Sequence, residues 1–238
     1  MVDKLDICVD MYVPGEHFDS AALPSPVDLR RATPEELAFA WRKQWQAGQE
    51  LRVQFLDGDQ SLHERVKGHA RRWLDHANLA LNFGNYPDAE IRITFRGHSY
   101  RSLVGTDAMR LPSPDPTMEL GGFTANSDDE ELRRTVLHEF GHAIGCVHEQ
   151  ASPAAEIPWD NAKVYEYYRQ WQGWDDETIY RNVLRRYSGA ETKFTEHDPK
   201  SVMQYPVPNQ LTIGDFEIGW NNDLSELDKS FIARMYPR

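Results

Sequence analysis

Between His138 and Gln150 the chain reads HEFGHAIGCVHEQ. Four residues of α-helix advance about 400° and 6 Å, so His138 and His142 stand one turn apart on one helix face. Two imidazoles in that relation chelate a zinc ion. Glu139 points beside that face, where its carboxylate reaches a metal-activated water rather than the metal. His148 lies six residues past His142; a continued helix would carry it about 600° round, to the opposite side. Gly145 resolves the conflict, because glycine takes positive φ, ends the helix and turns the chain back. His148 then supplies a third ligand. Three neutral imidazoles leave one tetrahedral position for water, as in catalytic rather than structural zinc sites. One zinc ion per chain is therefore the expected cofactor. The HExxH core alone arises by chance at about one position in eight thousand. The glycine and third histidine at their offsets lower that chance about four-hundredfold. The bland alternative, a helix with surface histidines, does not explain why Gly145 falls where the turn is needed.

The rest of the chain reads as strands and long helices before this motif and irregular helical structure after it. Thr33, Pro34 and Glu36 make a helix start, with the helix expected to run to about Ala47 and stop at Gly48. Leu51, Val53 and Phe55 alternate with polar residues, as do Ile91, Ile93 and Phe95, which is strand periodicity. Ser61 with Glu64 reads as a capping box. It opens a helix with Leu62, Val66, Ala70, Trp73, Leu74 and Ala77 on one face. Thr117 to Phe123 is a weaker strand candidate. Ser127 with Glu130 starts the helix that carries the histidines. Shorter helices are expected over 161–171, 176–187 and 225–236.

At 238 residues the chain has no need of a disulfide scaffold to fold, and its two cysteines, Cys8 and Cys146, form no framework. A buried or surface thiol is the default reading of Cys8. Latency through thiolate–zinc ligation is the alternative, with Asp6 or Asp10 as weaker candidates for such a role. A net charge of −12 argues against a nucleic-acid backbone as partner. No apolar run approaches a membrane span, and the opening MVDKLDICVDMYVPGEHF does not read as a signal peptide. His17, His63, His69, His76, His98 and His197 lack ligand spacing.

The HExxHxxGxxH pattern resembles the metzincin metalloprotease signature, and Glu149 after the third histidine is similar to the astacin branch. Ser201-Val202-Met203-Gln204-Tyr205 resembles the Met-turn of that family. The resemblance covers these two short motifs and a compatible element order before His138. It implies zinc held by His138, His142 and His148, Glu139 as general base, Met203 as a floor beneath the ligands and Tyr205 as an oxyanion-stabilising group. It also implies that Glu149 contacts a mature N-terminus, although a long segment precedes the first strand here. The astacin disulfides are missing and Gln204 stands where the family has histidine, so the chain looks like a divergent astacin-like protein.

The expected fold is α+β and metzincin-like, with two lobes. A twisted mixed sheet and long helices form the upper lobe, about 49–147; an irregular helical lobe, about 148–238, lies below; zinc sits in the cleft between. Residues 1–48 are expected to form an N-terminal extension with one helix, read as a prosegment or a packing arm. The expected activity is a zinc-dependent endopeptidase acting on protein or peptide substrates. The alternatives are a dedicated processing protease or effector for one partner, and a zinc-bearing binding module without turnover. Met118, Glu119, Leu120 and Gly121 are the candidate sheet edge for an extended substrate. The resemblance implies a secreted protein; an opening without a signal peptide leaves three readings, a chain that stays in the cytoplasm, one that leaves by a leaderless route, and one given without its leader.

Overall fold

The computed structural model describes residues 5, 7–9, 11, 43–152, 154–186 and 197–238. Strand β1 (Glu50–Phe55) turns Leu51 and Val53 into the core, as its alternation requires. Helix α1 (Gln60–Ala70) and the 3₁₀ turn Arg71–Asp75 bury Leu62, Val66, Ala70 and Trp73, the face expected from their spacing. The N-cap is Asp59 rather than Ser61, and the expected capping box does not form; Glu64 pairs instead with Lys67 at 2.8 Å.

Strands β2 (Ala80–Phe83), β3 (Ile91–Thr94), β4 (Tyr100–Ser102) and β5 (Met118–Leu120) complete a sheet of order β2-β1-β3-β5-β4. Only β4 runs antiparallel to its neighbour. The central strand β3 is buried on both faces, which its alternating sequence does not announce. Its Arg92 is accommodated because the guanidinium donates to the carbonyls of Ala89, Leu111 and Asp115.

Helix α2 (Asp129–Ala143) is capped by Asp128, whose carboxylate accepts from the Glu131 N–H. Asp129, Glu130 and Glu131 in the first turn suit the positive end of the helix dipole. Beyond it come α3 (Asn161–Gln172), ended by Gly173 at φ +69°, α4 (Asp176–Ile179), which passes into a π-helical turn over Tyr180–Leu184, and α5 (Glu226–Met235).

Two apolar clusters organise these elements. The larger joins the sheet with α1, α2, Met203, and Ile232 and Tyr236 at the C-terminal end. The second joins α3, α4, Tyr205 and Leu211 with Leu5, Ile7 and Cys8 from the N-terminal segment. Residues 148–238 are thus not one packing unit, since α5 returns to the upper cluster. The helix expected from Thr33 lies mostly outside the described residues, and its last part, 43–47, is turn and coil. Asp6, Asp10 and His17 also lie outside them.

Candidate metal centre and active site

Helix α2 delivers His138, Glu139 and His142, all buried. It ends as the sequence requires. Gly145 has φ +101°, its N–H donates to the His142 carbonyl, and the Cys146 N–H donates to the Gly141 carbonyl. These two bonds form a Schellman motif, which reverses the chain within three residues. His148 is thereby brought against the other two: its ring centroid lies 5.2 Å from His138 and 4.5 Å from His142.

The orientation of the rings is fixed from behind. Nδ1 of His138 donates to the Val202 carbonyl at 2.8 Å, and Nδ1 of His142 to the Cys146 carbonyl at 2.9 Å. In a neutral imidazole this leaves Nε2 as a bare lone pair. The Nε2 atoms converge, with His148 3.0 Å from His142 and 3.2 Å from His138. Converging lone pairs repel unless a cation lies among them, and three imidazoles, two of them with outer-sphere carbonyls, are a donor set suited to zinc. Burial, and then His142 and His148, hold the His138 imidazole well below the usual histidine range, in the neutral form a metal ligand needs.

A fourth donor stands in the same group. The thiol of Cys8 and the three imidazoles have ligand atoms within 4.8 Å of one another. Its Sγ lies 3.5 Å from Oε2 of Glu139, and its carbonyl accepts from the Tyr205 hydroxyl at 2.5 Å. The Tyr205 ring lies 4.4 Å from that of His148.

Neither a family sequence model nor a curated protein sequence matches the chain. Solved structures do. One structure of myroilysin, an astacin-family metalloprotease, is 38% identical, with TM-score 0.81 over 83% of this chain and 97% of that one. A crystal structure of myroilysin is 33% identical, with TM-score 0.69 over 98% and 91%. This chain belongs to the astacin-like metzincins. The hatching enzyme HCE-1, a zinc-protease from Oryzias latipes (medaka fish), shares the fold at 15% identity, TM-score 0.56, over 82% of this chain and 94% of that one.

The metzincin motifs account for most of the site, and the structure adds residues that the sequence did not single out. Met203 lies beneath the histidine helix, where a Cβ on Gly141 would come within 2.4 Å of its Sδ. Asp228, from the first turn of α5, holds the Met-turn. Its carboxylate accepts from Ser201 Oγ at 2.6 Å and from the Val202 N–H at 2.9 Å, and the Val202 carbonyl is the one that anchors His138. The signal for Asp228 was present as the box Ser225-x-x-Asp228, legible as a helix start but not as a support of the metal site. Glu149 accepts from the Asp198 N–H at 2.9 Å; burial, with Asp228 and Asp198 near by, pushes its carboxyl up to about 7.

The substrate edge needs correction. Strand β5, with Met118, Glu119 and Leu120, lies inside the sheet between β3 and β4 and is fully buried, while Gly121 backs onto His98 and Ser99. The edge on this side is β4, because the chain returns antiparallel after β3 and places Tyr100–Ser102 outermost. That edge is covered near its start. Cys8 bridges Tyr100 in the parallel sense, and the Val9 N–H donates to the Tyr100 carbonyl at 2.9 Å. Beyond it the cleft is lined by Thr135, Arg134, Pro206 and Trp220, with the Arg134 guanidinium 3.8 Å over the Trp220 ring. Of the other histidines, His63 stacks on Phe55 and His197 bonds Gln204; neither joins the metal group. No helix among the described residues is long and apolar enough to cross a membrane.

Proposed function

We propose that this metalloprotease is an endopeptidase which cleaves extended polypeptides with one zinc ion held by His138, His142 and His148, and that the form described is latent. The observation that carries the reading is the convergence of three buried imidazole Nε2 atoms, with that of His148 3.0 Å from His142 and 3.2 Å from His138, beside the wholly buried Glu139. His138, His142 and His148 would hold the zinc ion, which would supply polarisation of a substrate carbonyl and acidification of a water. Glu139 takes the proton of the attacking water and passes it to the leaving amine. Tyr205 donates its hydroxyl to the carbonyl oxygen as negative charge develops there. Its present bond to the Cys8 carbonyl supports this role, since it already serves a peptide oxygen beside the histidines. Substrate adds along β4, the antiparallel edge.

Latency follows from Cys8. A thiolate is a strong ligand for zinc, and Sγ stands in one group with the three imidazoles and 3.5 Å from the Glu139 carboxylate that would activate the water. The segment around it also covers the start of β4, the edge that substrate needs. Residues 1–48 therefore act as a prosegment at least over Leu5–Val9.

Glu139→Gln should retain one zinc per chain and lose activity by about a hundred- to ten-thousandfold. Cys8→Ser should raise casein hydrolysis by the intact chain at least tenfold. Zinc content is measured alongside in each variant. Bound zinc with no cleavage of casein or of a peptide panel by Cys8→Ser would make the protein a zinc-bearing binding module. An intact chain with no zinc after reconstitution would overturn the metal assignment.

A further inference from the structure

Leu5 is held in the cleft by a different wall from the one that binds Cys8. Its N–H donates to the Tyr167 hydroxyl at 3.1 Å, and its carbonyl accepts from the side-chain amide of Gln172. Both groups come from α3, so one turn and a half of helix grips the donor and the acceptor of a single residue. The Leu5 side chain is buried in a cluster with Val164, Tyr167, Tyr168 and Ile179. Tyr168 is itself fixed, stacked on Trp174 at 5.2 Å and edge-on to Tyr167 at 5.1 Å.

We propose that this wall is a peptide-binding subsite of the active enzyme, which clamps the backbone of one substrate residue and takes a branched apolar side chain such as leucine. The proposal rests on the endopeptidase reading above. Three features support it. The clamp recognises main-chain groups that every peptide carries, and a packing arm would need only the apolar contact. The wall and the metal group are engaged by one continuous stretch, and the three residues from Leu5 to Cys8 reach at most about 10 Å when extended. A chain drawn to the metal along that path therefore passes α3. Finally, Ile7 and Cys8 are buried in the same cluster as Leu5, so the stretch that leads to the metal group packs against this wall along its described residues. Departure of the segment takes Leu5 and Ile7 out of this cluster, and an incoming apolar residue would restore the burial they supply.

The test uses the full chain carrying Cys8→Ser, loaded with zinc. Its substrates are long peptides sharing one cleavable bond, in which a single leucine is walked through otherwise polar positions. A short peptide that spans only the cleaved bond serves as reference. The expected profile of kcat/KM has one maximum, about tenfold or more above the polar parent, with leucine about three residues from the cleaved bond on one side. Adding Tyr167→Phe or Gln172→Ala should lower the long-to-short ratio of kcat/KM about five- to tenfold, through KM rather than kcat. The ratio is the proper readout because loosening the segment raises all rates together. A flat leucine profile, or ratios unmoved by both variants while cleavage persists, overturns the subsite and leaves the peptidase standing. No cleavage of any peptide by the zinc-loaded chain overturns the peptidase reading and the subsite with it.

Discussion

At Gly145 the backbone sits at φ +101°, in a region that costs an L side chain about 1–2 kcal/mol, while a Cβ there would meet nothing closer than 3.5 Å. Gly145→Ala should therefore destabilise the fold by about that amount through the backbone alone. It should also weaken zinc binding at least tenfold, since the turn places His148; thermal unfolding and chelator competition separate the two effects. The role of Gly145 was legible because three histidines at these spacings meet only if the helix ends there. Gly141 was not legible, since the HExxH spacing leaves that position open and its constraint comes from Met203, some sixty residues later in the chain. Cys8 lay between: its chemistry was readable as a zinc ligand, but nothing near it in sequence showed that residue 8 reaches residue 138.

Short strands were the least legible elements. β2 and β4 have four and three residues, too few for an alternation to stand out from its surroundings, and their pairing is set by neighbours. The missed strand β4 is what moved the sheet edge away from Met118–Gly121. Caps were readable as places more than as residues. Asp128 rather than Ser127 caps α2, while Ser225 and Asp228 form the full box on α5. That box has a second task, because Asp228 also holds the Met-turn and, through Val202, the ring of His138. Asp228→Ala should cost about ten- to a hundredfold in zinc affinity, the usual toll for losing a support of a metal ligand. Burial raises the Asp228 carboxyl above the ordinary aspartate range, with Asp198 adding to it. A carboxyl raised in the native state binds its proton more tightly after folding. Its contribution is full below the unfolded aspartate range and is lost as pH rises through the raised value. The Tm advantage of wild type over Asp228→Asn should therefore be largest at acid pH and shrink toward neutrality, measured on chelator-treated protein so that metal binding does not contribute.

Over the whole molecule, the metal site joins parts of the chain that pack in different clusters. The helix that brings His138 and His142 belongs to the sheet cluster, whereas Tyr205 and Cys8 belong to the second. Metal removal should thus loosen the relation between the clusters as well as empty a site. Zinc at a thousand times its dissociation constant adds about 4 kcal/mol to the native state. Chelation should lower Tm by several degrees, and Cys8→Ser should reduce that loss because one donor is gone. An unchanged Tm on chelation would sever the link between metal and fold.

The bond from the Val9 N–H to the Tyr100 carbonyl has one more effect. Strand β4 is a sheet edge, and open edges invite other chains to pair with them. While residues 8 and 9 lie against it, part of that edge is sealed from within the molecule. Release of the segment exposes the same groups to substrate and to any other extended strand, including those of a second enzyme molecule. On the latency proposed above, activation and colloidal risk would arrive in a single event, and the protein would be safest to store, concentrate or transport while Ile7 and Cys8 remain in the cleft.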